Sequence, residues 1–266
     1  MTLKFDFHAH IYTEEIADKL IGKMEAIYGV KRRHHATVDG VLASAADGGI
    51  DRVVILSIAN RPEHIVYNDW YANLGREYEA IIPFGSIHIE NDPSELDRFP
   101  ELGLKGFKIQ PNAQRFYPDD PRMFPIYERA AKLGLIVVFH AGDEEGGVKG
   151  VFSQPKHYLD VIQGFPELTI VLAHFGGYQA WDDVGPLLGF ENVYFDTAYL
   201  PGKIDDDLFV GLAGSIGYDR ILFGTDFPFR DHKVEREYVE RLFGEDARKF
   251  ISDNPARLLG LEGERP

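Results

Sequence analysis

The stretch Leu3-Lys4-Phe5-Asp6-Phe7-His8-Ala9-His10 decides the fold: an apolar run that closes on two histidines one residue apart. Three further runs stop in the same way. Leu135-Ile136-Val137-Val138-Phe139 meets His140, Leu168-Thr169-Ile170-Val171-Leu172-Ala173 meets His174, and Arg220-Ile221-Leu222-Phe223-Gly224-Thr225 meets Asp226. Short continuous runs of Val, Ile, Leu and Phe read as strands covered on both faces, as in a parallel sheet. An α/β barrel builds a metal site by placing imidazoles and carboxylates at the ends of such strands.

Working outward, apolar runs recur near residues 3–9, 52–58, 80–87, 104–109, 135–140, 169–174, 192–196 and 220–224. Helical spacing precedes several of them: Leu42, Ala45 and Ala46 before the second, Ile126, Tyr127, Ala130 and Leu133 before the fifth, and Leu159, Ile162 and Phe165 before the sixth. Helix, glycine-containing turn, then strand is the grammar of βαβ units. Eight such runs predict a (β/α)8 TIM barrel of the α/β class, and 266 residues suit that barrel as one domain over 1–266. No Pro/Ser-rich linker or repeat marks a second domain. In the tail Asp253-Asn254-Pro255-Ala256-Arg257, the expectation is that Asn254 caps a helix whose first position is Pro255. Residues 11–38, 111–120 and 141–155 read as irregular loops at the carboxyl face, where they would shape a pocket.

Composition narrows the function classes. A formal net charge of −15 argues against nucleic acid or an anionic membrane as the main partner. No run approaches the roughly 18 apolar residues of a membrane helix, and the start of the chain does not resemble a signal peptide, so a soluble cytoplasmic protein is expected. A small molecule is the expected partner, and homo-oligomers are compatible with the sequence. The chain has no cysteine, which leaves any metal to His and carboxylates. Phosphate-binding glycine loops and the serine-hydrolase elbow are absent.

His8 and His10, two apart on a strand, point to one side and can chelate one ion. His140, His174 and Asp226 sit at the same end of their own strands. Imidazoles with a carboxylate suit one divalent ion, Zn first and Mn or Fe next, and leave a position open for water. Taken singly, each His could equally be a strand-end residue bonded to backbone, and Asp226 could cap a turn. Their shared placement makes joint coincidence a poor explanation.

The H-x-H of strand one, Gly106-Phe107-Lys108-Ile109-Gln110-Pro111, His140-Ala141-Gly142, Ala173-His174-Phe175-Gly176-Gly177 and Gly224-Thr225-Asp226-Phe227-Pro228 together resemble the amidohydrolase superfamily. More narrowly, they are similar to its amidohydrolase-related branch, which holds metal-dependent hydrolases and non-oxidative decarboxylases such as aminocarboxymuconate semialdehyde decarboxylase. The resemblance reaches to the Asn254–Leu261 tail. It implies that His8, His10 and His140 are metal ligands, with Asp226 a further ligand or the base that takes a proton from metal-bound water. It also implies that His174 polarises substrate or moves a proton.

Lys108 has three competing readings: a binder of a substrate carboxylate, a structural salt-bridged lysine, or a carbamate bridging two metals; one metal is expected. Arg115 and Tyr199 are candidate substrate contacts. Asp143, Glu144 and Glu145 read as a solvated acidic loop. His34, His35, His64, His88, His157 and His232 read as surface or satisfied polar positions. The leading expectation is a metal-dependent hydrolase of a small amide, lactone or ester. The alternative, using the same residues, is a metal-dependent non-oxidative decarboxylase of an aromatic or unsaturated carboxylic acid.

Overall fold

The computed structural model describes residues 2–264. Eight parallel strands follow the sequence in the order β1 to β8. They are β1 (Phe5–Ala9), β2 (Arg52–Leu56), β3 (Ile81–Ser86), β4 (Gly106–Ile109), β5 (Ile136–Phe139), β6 (Thr169–Leu172), β7 (Val193–Asp196) and β8 (Ile221–Leu222). Each falls inside an apolar run, as expected of strands covered on both sides. This is the (β/α)8 topology that the eight runs predict.

The described chain gathers into two compact units. One contains the chain up to Ile55, Glu144–Val148, and the chain from Asp196 on. In it β1 pairs with β2, Phe5 opposite Arg52 and Asp6 opposite Val53, with the register shifting between Asp6 and Ala9. The segment that continues β8 hydrogen-bonds to β1 through Phe7 N to Phe223 O (2.7 Å), Asp226 N to His8 O (2.8 Å) and His10 N to Phe227 O (2.8 Å). The first strand is thereby joined to the last. The unit's helices are α1 (Glu14–Tyr28), α2 (Val38–Gly48), α8 (Asp206–Ile216), α9 (His232–Phe243) and α10 (Asn254–Leu259).

The other unit, Leu56–Asp143 with Lys149–Phe195, holds the run of parallel pairings from β3 through β7. Its helices are α3 (Asn68–Glu77), α4 (Phe99–Leu102), α5 (Pro111–Gln114), α6 (Phe124–Lys132) and α7 (Leu159–Gly164). Phe84, Phe107, Phe139 and Tyr127 are fully buried here, and Phe139 packs edge-on against Tyr127 and tilted against Tyr158.

Two local expectations are corrected. Residues 11–38 are not simply irregular: they carry the 15-residue α1, closed by Gly29 at φ 68°. That helix buries only Ala17 and Ile21, so its apolar stripe is thin. Asn254 is not an N-cap, because a π-turn over Lys249–Asp253 runs straight into α10. Its buried amide instead donates to Tyr218 O and Ile221 O, both at 2.7 Å.

Candidate metal centre

β1 alternates Phe5, Phe7 and Ala9 with Asp6 and His8, so the polar side chains share one face with the following His10. After β8 the chain turns sharply. Asp226 adopts φ 69°, in the left-handed region, which a non-glycine residue occupies only when its surroundings hold it there. The bond from Asp226 N to His8 O supplies that hold. Gly224 is required nearby, since a Cβ there would come within 2.9 Å of the His8 Cβ.

These turns bring three side chains together. His8, His10 and Asp226 each offer a ligand atom, all within 4.8 Å of one another. His8 Nε2 lies 3.2 Å from His10 Nε2. Asp226 Oδ1 lies 3.7 Å from the first and 3.4 Å from the second. A tetrahedral ion with bonds of about 2.0–2.1 Å sets its ligands about 3.3–3.4 Å apart, so the triangle fits one cation. It also fits the chemistry: two imidazole nitrogens and a carboxylate oxygen converge on one point, a donor set that suits a divalent cation.

A buried carboxylate fixes the first ligand. Asp196, at the end of β7, places Oδ2 2.8 Å from His8 Nδ1, while its Oδ1 accepts from Ala198 N at 3.1 Å. With Nδ1–H directed at Asp196, the Nε2 lone pair of His8 is left facing the triangle, the arrangement that orients metal-bound histidines. The sequence reading missed Asp196, although its run, Val193-Tyr194-Phe195-Asp196, ends on a polar residue just as the others do.

His140 and His174, at the carboxyl ends of β5 and β6, form a different kind of pair. His174 Nε2 lies 3.2 Å from His140 Nδ1, and His140 Nε2 lies 3.2 Å from the Asp143 carbonyl oxygen. An N–H between two imidazoles is suited to proton transfer. His174 and Phe175 both have positive φ (55° and 54°), and the Trp181 indole N–H donates to His174 O at 3.0 Å.

The other candidates separate. Lys108 is fully buried on β4, opposite Ser86 and Val138. Arg115 is exposed at the left-handed end of α5. Tyr199 is buried at φ 63°, with Arg230 Cζ 5.0 Å and Lys203 Nζ 5.4 Å from its ring centre. Burial first, then the charges of Glu145 and Asp226, push the Tyr199 hydroxyl well above its ordinary pKa. Arg230 Nε donates to Glu235 Oε1 at 2.8 Å. Glu235 is itself buried, and its carboxyl is pushed up to about 8, by desolvation first and by the nearby Asp226 and Asp6 as well.

The acidic loop is not solvated: Asp143 and Glu144 are buried. Asp143 binds Lys149 Nζ (2.6 Å), Gly150 N (3.0 Å) and Gln154 Nε2 (2.7 Å). Burial works to raise its pKa, yet these donors outweigh it and hold the carboxyl below its ordinary range.

The sequence model of the amidohydrolase family matches residues 5–261. A 2-amino-3-carboxymuconate-6-semialdehyde decarboxylase of Dictyostelium discoideum is 25% identical over 239 residues, which is 73% of this chain and 66% of that protein. Among solved structures, an uncharacterised TIM-barrel protein of Bordetella bronchiseptica superposes with a TM-score of 0.80 at 22% identity, covering 98% of this chain and 99% of that one. A dihydroxybenzoic acid decarboxylase of Polaromonas, solved with manganese and 2-nitroresorcinol, superposes with a TM-score of 0.78 at 19% identity, covering 99% and 98%. No helix among the described residues is long and apolar enough to cross a membrane.

Proposed function

Because this chain belongs to the amidohydrolase family, we propose that it is a one-metal enzyme that removes CO2 without redox chemistry from a small aromatic or unsaturated carboxylic acid. The convergence of His8, His10 and Asp226, backed by Asp196, carries the metal part of the reading. The reaction is supported by the named relatives, two of which are decarboxylases. This favours the decarboxylase alternative over hydrolysis, which would use the same side chains. Manganese is the ion we propose to load first, because the Polaromonas enzyme holds it; zinc fits the same triangle.

The ion would supply positive charge that orients the substrate carboxylate and an adjacent oxygen. His8 and His10 would hold it as neutral ligands, and Asp226 would offset one of its charges. As the carbon–carboxylate bond breaks, the electron pair stays on the ring or alkene carbon, and that carbon must take a proton. On the strength of the resemblance His174 would be the donor, and its Nε2, 3.2 Å from His140 Nδ1, shares its proton with a second imidazole. The sequence resemblance also makes His140 a ligand.

The test is a substrate panel run in deuterated, 18O-labelled water with manganese-loaded protein. Hydroxybenzoates and unsaturated carboxylic acids are expected to release CO2 and gain one deuterium. Turnover of lactones or amides with 18O incorporation, and no CO2 from any acid, would overturn the reading.

A further inference from the structure

Behind the metal triangle lies a second layer of polar groups, none of it required by the chemistry above. Asp6 is fully buried. Its Oδ1 accepts from the backbone N–H of His8 (2.8 Å) and of Thr225 (3.0 Å). Its Oδ2 accepts from the Thr225 hydroxyl at 2.6 Å, and that hydroxyl oxygen in turn accepts from Phe227 N at 3.0 Å. One carboxyl group therefore grips both segments that carry ligands: the strand end with His8 and the turn with Asp226.

Such a group is stable in the interior only with matching donors. One further polar side chain, on α9, lies against it within ion-pair distance but without hydrogen-bond geometry. His232 Nε2 lies 3.0 Å from Asp6 Oδ2, and both side chains are fully buried. His232 Nδ1 lies 2.8 Å from Ser44 Oγ on α2. Ser44 Oγ continues to His34 Nε2 at 3.3 Å, and His34 Nε2 to Asp231 Oδ2 at 2.9 Å. The His232 ring packs on Phe227 at 5.6 Å between centres. Its backbone lies so close to Gly48 that a Cβ there would come within 2.6 Å of the His232 Cβ. His232 is thus held at Nδ1, by the packing of its ring and along its backbone, with Nε2 set 3.0 Å from the Asp6 carboxylate.

We propose that His232, set by Ser44, is a positioning residue: through Asp6 it fixes the spacing of His8 and Asp226 and so sets the affinity for the metal. The proposal rests on the metal reading above and extends it to residues that touch neither ion nor substrate. Glutamine at 232 can still present a polar N–H near the Nε2 position, whereas leucine keeps the bulk and loses the polar contact with Asp6. A merely space-filling role treats the two alike.

The experiment titrates metal-free wild type, His232→Leu, His232→Gln and Ser44→Ala with Mn2+, and follows amide hydrogen exchange at His8 and Thr225 in the metal-free proteins. Supporting outcomes are a roughly 10–100-fold weaker dissociation constant in His232→Leu, recovery to within about threefold in His232→Gln, a several-fold loss in Ser44→Ala, and faster exchange at both amides in His232→Leu. Should His232→Leu not fold, the Gln and Ala variants decide by the same values. Equal losses in Leu and Gln, or Leu binding within twofold of wild type, overturn the proposal. If wild type binds no Mn2+ or Zn2+, the metal reading itself fails, and unchanged exchange at His8 and Thr225 in the variants would separately reject the clamp.

Discussion

The histidines of β1 and those of β5 and β6 begin from the same sequence sign, an apolar run ending in imidazole, yet the chain treats them differently. His8 has a buried carboxylate on Nδ1, and its Nε2 faces a second imidazole and the carboxylate of Asp226. His140 has a backbone carbonyl on one nitrogen and His174 on the other. The first arrangement fixes lone pairs toward one point, which is what a cation needs. The second lines up N–H and N, which is what a mobile proton needs. What surrounds the ring, more than the ring itself, divides binding from proton transfer.

Variants at the triangle should give the largest effects. His10→Ala or Asp226→Asn is expected to lower kcat at least about 10³-fold and to leave purified protein with little metal, since three ligand atoms cannot be replaced by two. Elemental analysis alongside kinetics checks this, and near-normal turnover in either variant would dissolve the distinction. The histidine pair comes next. His174→Ala is expected to lose about 10²–10⁴ in kcat while keeping its metal, the usual reach of a proton donor. His140→Ala then sharpens the contrast: metal loss assigns it to the triangle, and retained metal with slow turnover assigns it to proton return.

The smallest effect concerns the buried acid beside the triangle. Glu235 is pushed up to about 8 from 4.5, so the folded protein holds its proton at pH values where the unfolded chain has released it. Native protein therefore binds more protons between roughly pH 4.5 and 8, and stability falls as pH rises through that window, by about 1.4 kcal/mol per unit at most. Glu235→Gln should flatten that slope in urea titrations of metal-free protein. Identical slopes would show that the buried acid is not responsible.

Much of this was written in the sequence. Eight apolar runs announce eight strands, because strands covered on both faces are apolar along most of their length. His8, His10 and Asp226 are visible because a polar residue ending such a run has little structural reason to be there. Asp196 follows the same rule and needed only its consistent application. His232 and Asp6 are different: they are 226 positions apart in sequence and meet through the fold alone. A histidine near the start of a polar helix carries no local mark of burial. Asp143 was misread for a related reason, since three acids in a row look solvated until Lys149, Gly150 and Gln154 are folded around one of them. The continuous helix through Asn254 was hidden by an Asn-Pro pair that ordinarily starts one.

His174, Tyr199 and Asp226 all stand in left-handed backbone conformations just past the ends of their strands. For residues with a Cβ that conformation costs roughly 1–2 kcal/mol each, and glycine avoids most of it. Selection or engineering for thermal robustness alone would therefore favour glycine at these positions, two of which, His174 and Asp226, carry side chains of the proposed chemistry. Directed evolution of a sturdier variant would need a functional readout at every round, or these three positions held constant.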